Sequence, residues 1–371
     1  MLRSTRWVFS ICVSVSLLFT IACGSTTDSN NSASPEVTGN ADTNSTSPAE
    51  IDSAPLSGDL VVYSSRSEKF VVALLDKFQQ ETGVQVKALH LGDVAVNRIK
   101  EESNNVSADV FISNDIGALE HLRTGSFLQG YTPKGIETID EKYRAQDMSW
   151  FGLSARTRVF MYNKALITEQ EMPKTMWELT DPKWKGQFMI AHGGNGSVTG
   201  QVSALRYAWG DDKTLQWLQA IKSNAGAIVK GHGDIRLAVG SGEFKFGIVN
   251  NYYYHQQLLE PTNNQVGVIY PDQGQDGIGA IVNAAGVGFI KGAPHDANAK
   301  AFLDWLLRPE NQREFSYASM EVPINPAIEK QEFAASITDY KTSEMPLSKL
   351  GDYFLDTKAL IEKAGLDLQI K

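Results

Sequence analysis

The chain alternates short apolar runs with amphipathic ones. In "GDLVVYSSR" a β-rich run over residues 60–63 gives way to small polar residues, and "EKFVVALLDKFQQETG" then places Phe70, Leu74, Leu75 and Phe78 at helical spacing before Gly83. Apolar positions three and four apart followed by glycine predict an amphipathic helix and its end. "VQVKAL" predicts a second strand, and "ADVFISND" a third after an intervening helix. Strands that alternate with helices predict an α/β layer with parallel pairing. Ligands of such sheets lie outside the carboxyl ends of the strands, so "SSRSE" at 64–68 and "SND" at 113–115 are expected on one rim.

A second α/β set begins at "FGLSARTRVFMYN" and takes in "GQFMIAHGGNGS", the helix "TGQVSALRYAWG" and the strand "FKFGIVNN". The segment "GIGAIVNAAGVGFIKGA" then leads into "NAKAFLDWLLRPENQREFS", which reads as a helix with a stop at Pro309 and Glu310. No repeat of fixed period is present.

The first residues follow a different pattern. Arg3 and Arg6 precede the apolar run "WVFSICVSVSLLFTIA", which ends at Ala22. A basic start, an apolar stretch and a small residue make residues 1–22 a signal peptide. The run is shorter than the roughly 20 residues that cross a bilayer. "FTIAC" before Gly24 and Ser25 resembles a bacterial lipobox, with Thr20 where leucine is usual; this implies that Cys23 is lipidated and becomes the mature N-terminus. Residues 23–57 are rich in Ser, Thr, Asn, Asp and Pro. Such a segment buries too little apolar surface to offset its ordering entropy, and is read as a disordered tether.

Composition narrows the chemistry. Both cysteines, Cys12 and Cys23, fall in the leader region, so the body has no disulfide, cysteine-zinc site or thiol nucleophile. Removing the leader takes away two arginines and no acid, so the formal charge falls from −9 to −11. An acidic body weighs against nucleic acid as a partner. Neither a Gly-x-Ser-x-Gly elbow nor a P-loop occurs. His90, His121, His192, His232, His255 and His295 lack metal-ligand spacing and are read as surface residues.

The most unusual stretch is "NNYYYHQQ" at 250–257. In a continuous strand Tyr252 and Tyr253 would face opposite sides. Asn250 and Asn251 are strand breakers and helix N-caps, which would put both tyrosines in the first turn of a helix. The positive end of a helix favours anionic oxygen, and a nearby trivalent cation would stabilise phenolate. Paired phenolates suit a hard cation such as ferric iron. Packed aromatics between two domains, or a sugar-stacking platform, fit the same residues.

"VVYSSRSEKFVVALLDKFQQETGVQV", "ADVFISNDIGALEHL", "DPKWKGQ", "VNNYYYHQQLL" and "FLDWLLRPENQREF" together resemble the iron(III)-binding proteins of ABC importers, within the bacterial extracellular solute-binding proteins of family 1. The resemblance implies a two-lobed periplasmic-binding-protein type II fold, each lobe a mixed sheet flanked by helices, joined by crossing strands near 153–161 and 286–291. Residues 58–155 and 284–325 would form one lobe and 156–283 the other, with a helical segment at 326–371 packing on both. By the same resemblance Tyr252 and Tyr253 are iron ligands and Tyr254 a packing neighbour. Relatives carry a histidine or tyrosine in the first loop where this chain has Ser67 and Glu68, so Glu68 and Asp115 become the candidate carboxylate ligands. A synergistic carbonate or phosphate would sit at the loop "HGGNGS", on Asn195, Gly196 and Ser197 before a helix, with Ser65 and Arg66 donating from the facing lobe. The expected protein is a monomeric lipoprotein of the cell envelope, facing the periplasm or the exterior and serving an ABC permease and its ATPase. Competing readings are a receptor for an organic cation or anion with the tyrosines as a stacking wall, and a secreted hydrolase using Glu68 and Asp115 as an acid/base pair.

Overall fold

The computed structural model describes residues 56–366, so the leader, Cys23 and the tether up to residue 55 lie outside the described residues. The first predicted set is present as β1 (Asp59–Ser64), α1 (Val72–Thr82), β2 (Gln85–His90), α2 (Ala95–Glu101), β3 (Val110–Ser113) and α3 (Ile116–Thr124). Leu74, Leu75 and Phe78 are buried on α1, which ends where Gly83 takes left-handed backbone at φ 77°. A residue without Cβ enters that region at no steric cost.

The second set starts with β4 (Trp150–Asn163), a strand buried along its whole length. It continues through β5 (Phe188–Ala191), α4 (Gly196–Trp209), α5 (Asp211–Asn224), β6 (Ala227–Val229), α6 (His232–Ser241), β7 (Phe246–Asn250), α7 (Asn251–Leu258) and β8 (Val266–Ile269). The chain then forms β9 (Val282–Phe289), α8 (Asp296–Leu306), α9 (Pro309–Tyr317) and β10 (Val322–Pro323). The helix expected to stop at Pro309 and Glu310 ends as α8, and a second helix, α9, begins at the same proline. Pro309 occupies the first turn of α9, where its missing N–H is no loss.

The strands run in the order β2-β1-β3-β9-β4-β7-β5-β6, with β8 and β10 also paired to β4. Pairing is parallel among β2, β1 and β3 and among β7, β5 and β6. It is antiparallel wherever β9 and β4 meet their neighbours, so the sheet is mixed, as expected, with the parallel pairing read from the strand–helix alternation confined to its two ends. Residues 150–157 of β4 pair with β9, whereas residues 158–163 pair with β7 and β8. One strand thus passes from the first α/β set to the second, within the stretch predicted to cross.

Beyond β10 the chain has no long helix until a short 3-10 turn (Leu347–Lys349) and α10 (Leu350–Lys363). Only the end of the expected helical segment 326–371 is helical among the described residues. Pro326 and Pro346 bracket the irregular part. Their rings disfavour helix in the residues before them. This part folds back on the crossing strand. The Tyr340 ring stacks on Tyr270 at 4.2 Å, and its hydroxyl lies 2.6 Å from Thr157 Oγ1. No helix among the described residues is long and apolar enough to cross a membrane.

Candidate metal centre

The two asparagines end β7 and aim α7. Asn250 is the N-cap residue, but its side chain does not cap α7. Its Nδ2 donates instead to Ser197 Oγ (3.3 Å), and its backbone N–H points at His232 Nδ1 (3.4 Å). Asn251 Oδ1 accepts the backbone N–H of Thr157 (3.0 Å). The first turn of α7 is thereby pinned to β4 and to the start of α4. Tyr252 and Tyr253 lie in that turn, as the sequence predicts. Their ring centroids are 4.4 Å apart at 32°. Two phenols side by side in one helix turn can converge on a single cation. Tyr254 packs against the core.

Positive charge lies beside the phenols. Arg156 and Arg158 are two apart on β4, a spacing that puts both on one face. The Arg156 guanidinium carbon is 5.9 Å from the centre of the Tyr252 ring, its Nη2 is 2.8 Å from Glu321 Oε1, and its buried Nε has no hydrogen-bond partner. Arg158 donates to the Ser197 carbonyl, and its Nη1 is 2.7 Å from His232 Nε2. Burial lowers the Arg158 guanidinium to about 9, against the opposing pull of Tyr252. Burial, then Arg158 and Arg156, push His232 well below its usual range, so the imidazole is neutral where it meets the edge of Tyr253. Burial and the neighbouring Tyr252 raise the Tyr253 phenol.

A buried ion triad underlies this face. Glu321 takes Arg156 on one oxygen and Arg66 Nη1 (3.1 Å) on the other, where Ser154 Oγ also donates. Arg66 Nη2 donates to Ser319 Oγ (2.7 Å), and its plane lies 4.5 Å over Phe315. The expected role of Arg66 as a cleft donor is therefore corrected. Its guanidinium turns inward, because a buried carboxylate with one arginine would otherwise leave a lone pair uncompensated.

The predicted rim loops are neighbours: Asn114 N–H donates to Ser65 Oγ and Asn114 Nδ2 to the Ser65 carbonyl, both at 2.9 Å. Ser65, Asn114 and Asp115 face Gly194, Gly196 and Thr199 across one cleft. Asn195 caps α4 through Ser197 N–H (3.0 Å). The Asp115 carboxylate caps α3 through Gly117 N–H (2.7 Å) and accepts Asn283 Nδ2 (2.5 Å). Enclosure raises its carboxyl, and Arg156 opposes that shift. Glu68 is exposed at the start of a short 3-10 turn (Glu68–Phe70). Among the described residues, no group of three or more His, Cys, Asp and Glu side chains could hold a metal.

Not all the histidines are surface residues. His232 and His255 are buried, each where its helix packs inward. His255 Nδ1 lies 2.8 Å from the Met320 carbonyl, and burial lowers its pKa to about 4. Arg156, Arg158, Glu321 and Asn283 also belong to this face, although no sequence motif marks them. A period-two arginine pair on an otherwise apolar strand was the available signal for the first two.

The chain matches the family model of bacterial extracellular solute-binding proteins over residues 73–342. It belongs to that family. This solute-binding protein is 32% identical over 317 residues to iron uptake protein A1 of Synechocystis sp., spanning 83% of this chain and 87% of the relative. It is 28% identical to the major ferric iron-binding protein of Neisseria meningitidis serogroup B, over 84% of this chain and 94% of the other. Its fold superposes on a Trichodesmium protein solved with iron and citrate ligands (TM-score 0.76, 29% identity, 84% of this chain and 100% of that one). Iron-bound HitA of Pseudomonas aeruginosa also superposes (TM-score 0.76, 26% identity, 83% and 99%). These matches establish the two-lobed type II fold class that the sequence led us to expect.

Proposed function

We propose that this solute-binding protein captures ferric iron between its two lobes and passes it to the permease of an ABC importer driven by an ATPase. It acts as a carrier, not an enzyme. The observation that carries this reading is the placement of the Tyr252 and Tyr253 rings side by side, centroids 4.4 Å apart, at the positive end of α7. One hard trivalent cation in place of the two phenol protons would turn this pair into two ligand bonds. A monovalent organic cation could not replace both phenol protons, and beside two buried guanidiniums it would gain no ligand bonds to offset the repulsion.

With two phenolates the iron still carries one positive charge, and Arg156 and Arg158 add two more. Asp115 offsets part of this, and Glu68 is the other candidate carboxylate. A carbonate or phosphate between Ser65 and the start of α4, at Asn195, Gly196 and Ser197, supplies further negative charge where N–H donors and guanidiniums converge. The lobes are assigned to 58–155 with 284–325 and to 156–283, and β4 serves as one hinge strand.

Because each phenol must lose its proton to bind, loading is coupled to pH. At constant pH near neutrality, iron uptake should release about two protons per ion from the tyrosines, so affinity should rise with pH. Loading without proton release from the protein would contradict phenolate ligation. Anchoring is assigned to a lipid on Cys23, with the protein facing the periplasm or the exterior. Cys23→Ser should move the protein from the membrane fraction to the soluble one without changing iron binding, whereas unchanged membrane retention would refute the anchor.

A further inference from the structure

α10 lies across both α/β sets. At its start it rests on α3, which follows β3 of the first set: a Cβ on Gly117 would lie 3.8 Å from Leu350 Cβ, and one on Gly351 would lie 3.1 Å from Glu120 Cβ. Further along it is bound to α4, which follows β5 of the second set. The buried Thr357 hydroxyl pairs with Ser203 Oγ and accepts Arg206 Nη1, both at 2.9 Å. Arg206 Nη1 also reaches the Tyr353 carbonyl (3.3 Å), and Asp211 holds the same guanidinium at two nitrogens. Lys358 lines the cleft together with Asp115 of the first set and Gly196 of the second.

The two ends of α10 are attached differently. Directional hydrogen bonds to buried side chains fix its register on α4. The contact with α3 is a close approach in which Gly117 meets Leu350 and Gly351 meets Glu120, a packed helix surface of the kind that can shear. Any rotation that parts the two sets must move α10 along one of these surfaces. We propose that α10 is an interlobe strap that travels with the second lobe and slides over α3 at Gly117 and Gly351, so that cleft opening and release of cargo require this slip. The inference rests on the two-lobed capture described above.

The folded body contains no cysteine, so the slip can be blocked by design. In a full-length background carrying Cys12→Ser and Cys23→Ser, Gly117→Cys with Leu350→Cys places the two Cβ atoms near the roughly 3.8 Å typical of a disulfide; because a Cβ at 117 also comes within 2.7 Å of Asp115 Oδ1, the oxidised form is judged only against its own reduced form. Ser203→Cys with Thr357→Cys instead links the strap to α4. Each pair is compared oxidised and reduced, by small-angle scattering without iron and by the rate at which ferric iron, loaded with carbonate, is lost to a chelator. The wild type and both reduced variants should be extended without iron. The oxidised 117/350 link should hold the chain compact without iron and slow iron loss by about tenfold or more, since opening is the step it blocks. The oxidised 203/357 link should change neither. If the oxidised 117/350 variant opens and releases iron like its reduced form, the strap is refuted while two-lobed capture stands. Locking by the 203/357 link would refute the assignment of α10 to the second lobe. A wild type whose radius is the same with and without iron would overturn two-lobed capture and the strap with it.

Discussion

The double variant Tyr252→Phe, Tyr253→Phe is expected to lose ferric binding altogether while folding normally. Each change removes only a hydroxyl and keeps a half-buried ring in the first turn of α7, so packing against His232 and the core survives. Each single variant should lower affinity by more than the roughly 10–100-fold that accompanies loss of an outer-shell partner of a metal ligand. Competition with a chelator of known strength measures this. Retention of wild-type affinity in both single variants would make the phenols structural and remove them from the site.

Glu321→Gln is expected to give the largest loss of stability. The carboxylate sits between Arg66 and Arg156, with Ser154 completing its contacts, and all of these side chains are buried. Removing its charge leaves two guanidiniums facing each other without compensation, and breaking a buried pair on one side costs about 3–5 kcal/mol. The urea midpoint should fall accordingly, and iron affinity should fall with it because Arg156 is no longer held over Tyr252. The pH dependence follows from the same residue. Burial alone would raise the Glu321 carboxyl, but Arg156 and Arg66 outweigh it and hold it below its ordinary 4.5. A depressed folded-state pKa stabilises the protein above the ordinary value, and this contribution is lost as pH falls from about 4.5 through the depressed one. The Gln variant should lack that acid limb, and a urea midpoint identical to wild type would show that the triad contributes nothing.

Local signals made much of this legible. Helical spacing and Gly83 defined α1, and Asn250 with Asn251 located the break that brings two adjacent tyrosines to one helix end. The rule that ligand loops follow the carboxyl ends of strands put Ser65 and Asp115 on one rim, and the hydrogen bonds between Ser65 and Asn114 bear that out. What local pattern does not carry is pairing across the chain. Arg66 meets Glu321 from 255 residues away, and nothing around Arg66 marks it as an inward-facing residue. Arg156 and Arg158 read as polar interruptions of a strand until β4 is seen to cross beneath α7. His232 looked like a surface residue after "VKG" because burial comes from α6 packing on β7, a contact set by the sheet order. Pro309 carried two messages, the end of one helix and the first turn of the next, and only the first was read.

The most direct test of the central claim is an optical titration of the purified protein with ferric iron. A phenolate bound to Fe(III) absorbs visible light by charge transfer, which neither free phenols nor carboxylate-bound iron does. The account predicts a visible band that grows linearly to one iron per chain, weakens or shifts in each single Tyr→Phe variant, and is absent from the double variant. A colourless wild-type complex, or a band unchanged when both hydroxyls are removed, would contradict ligation by Tyr252 and Tyr253.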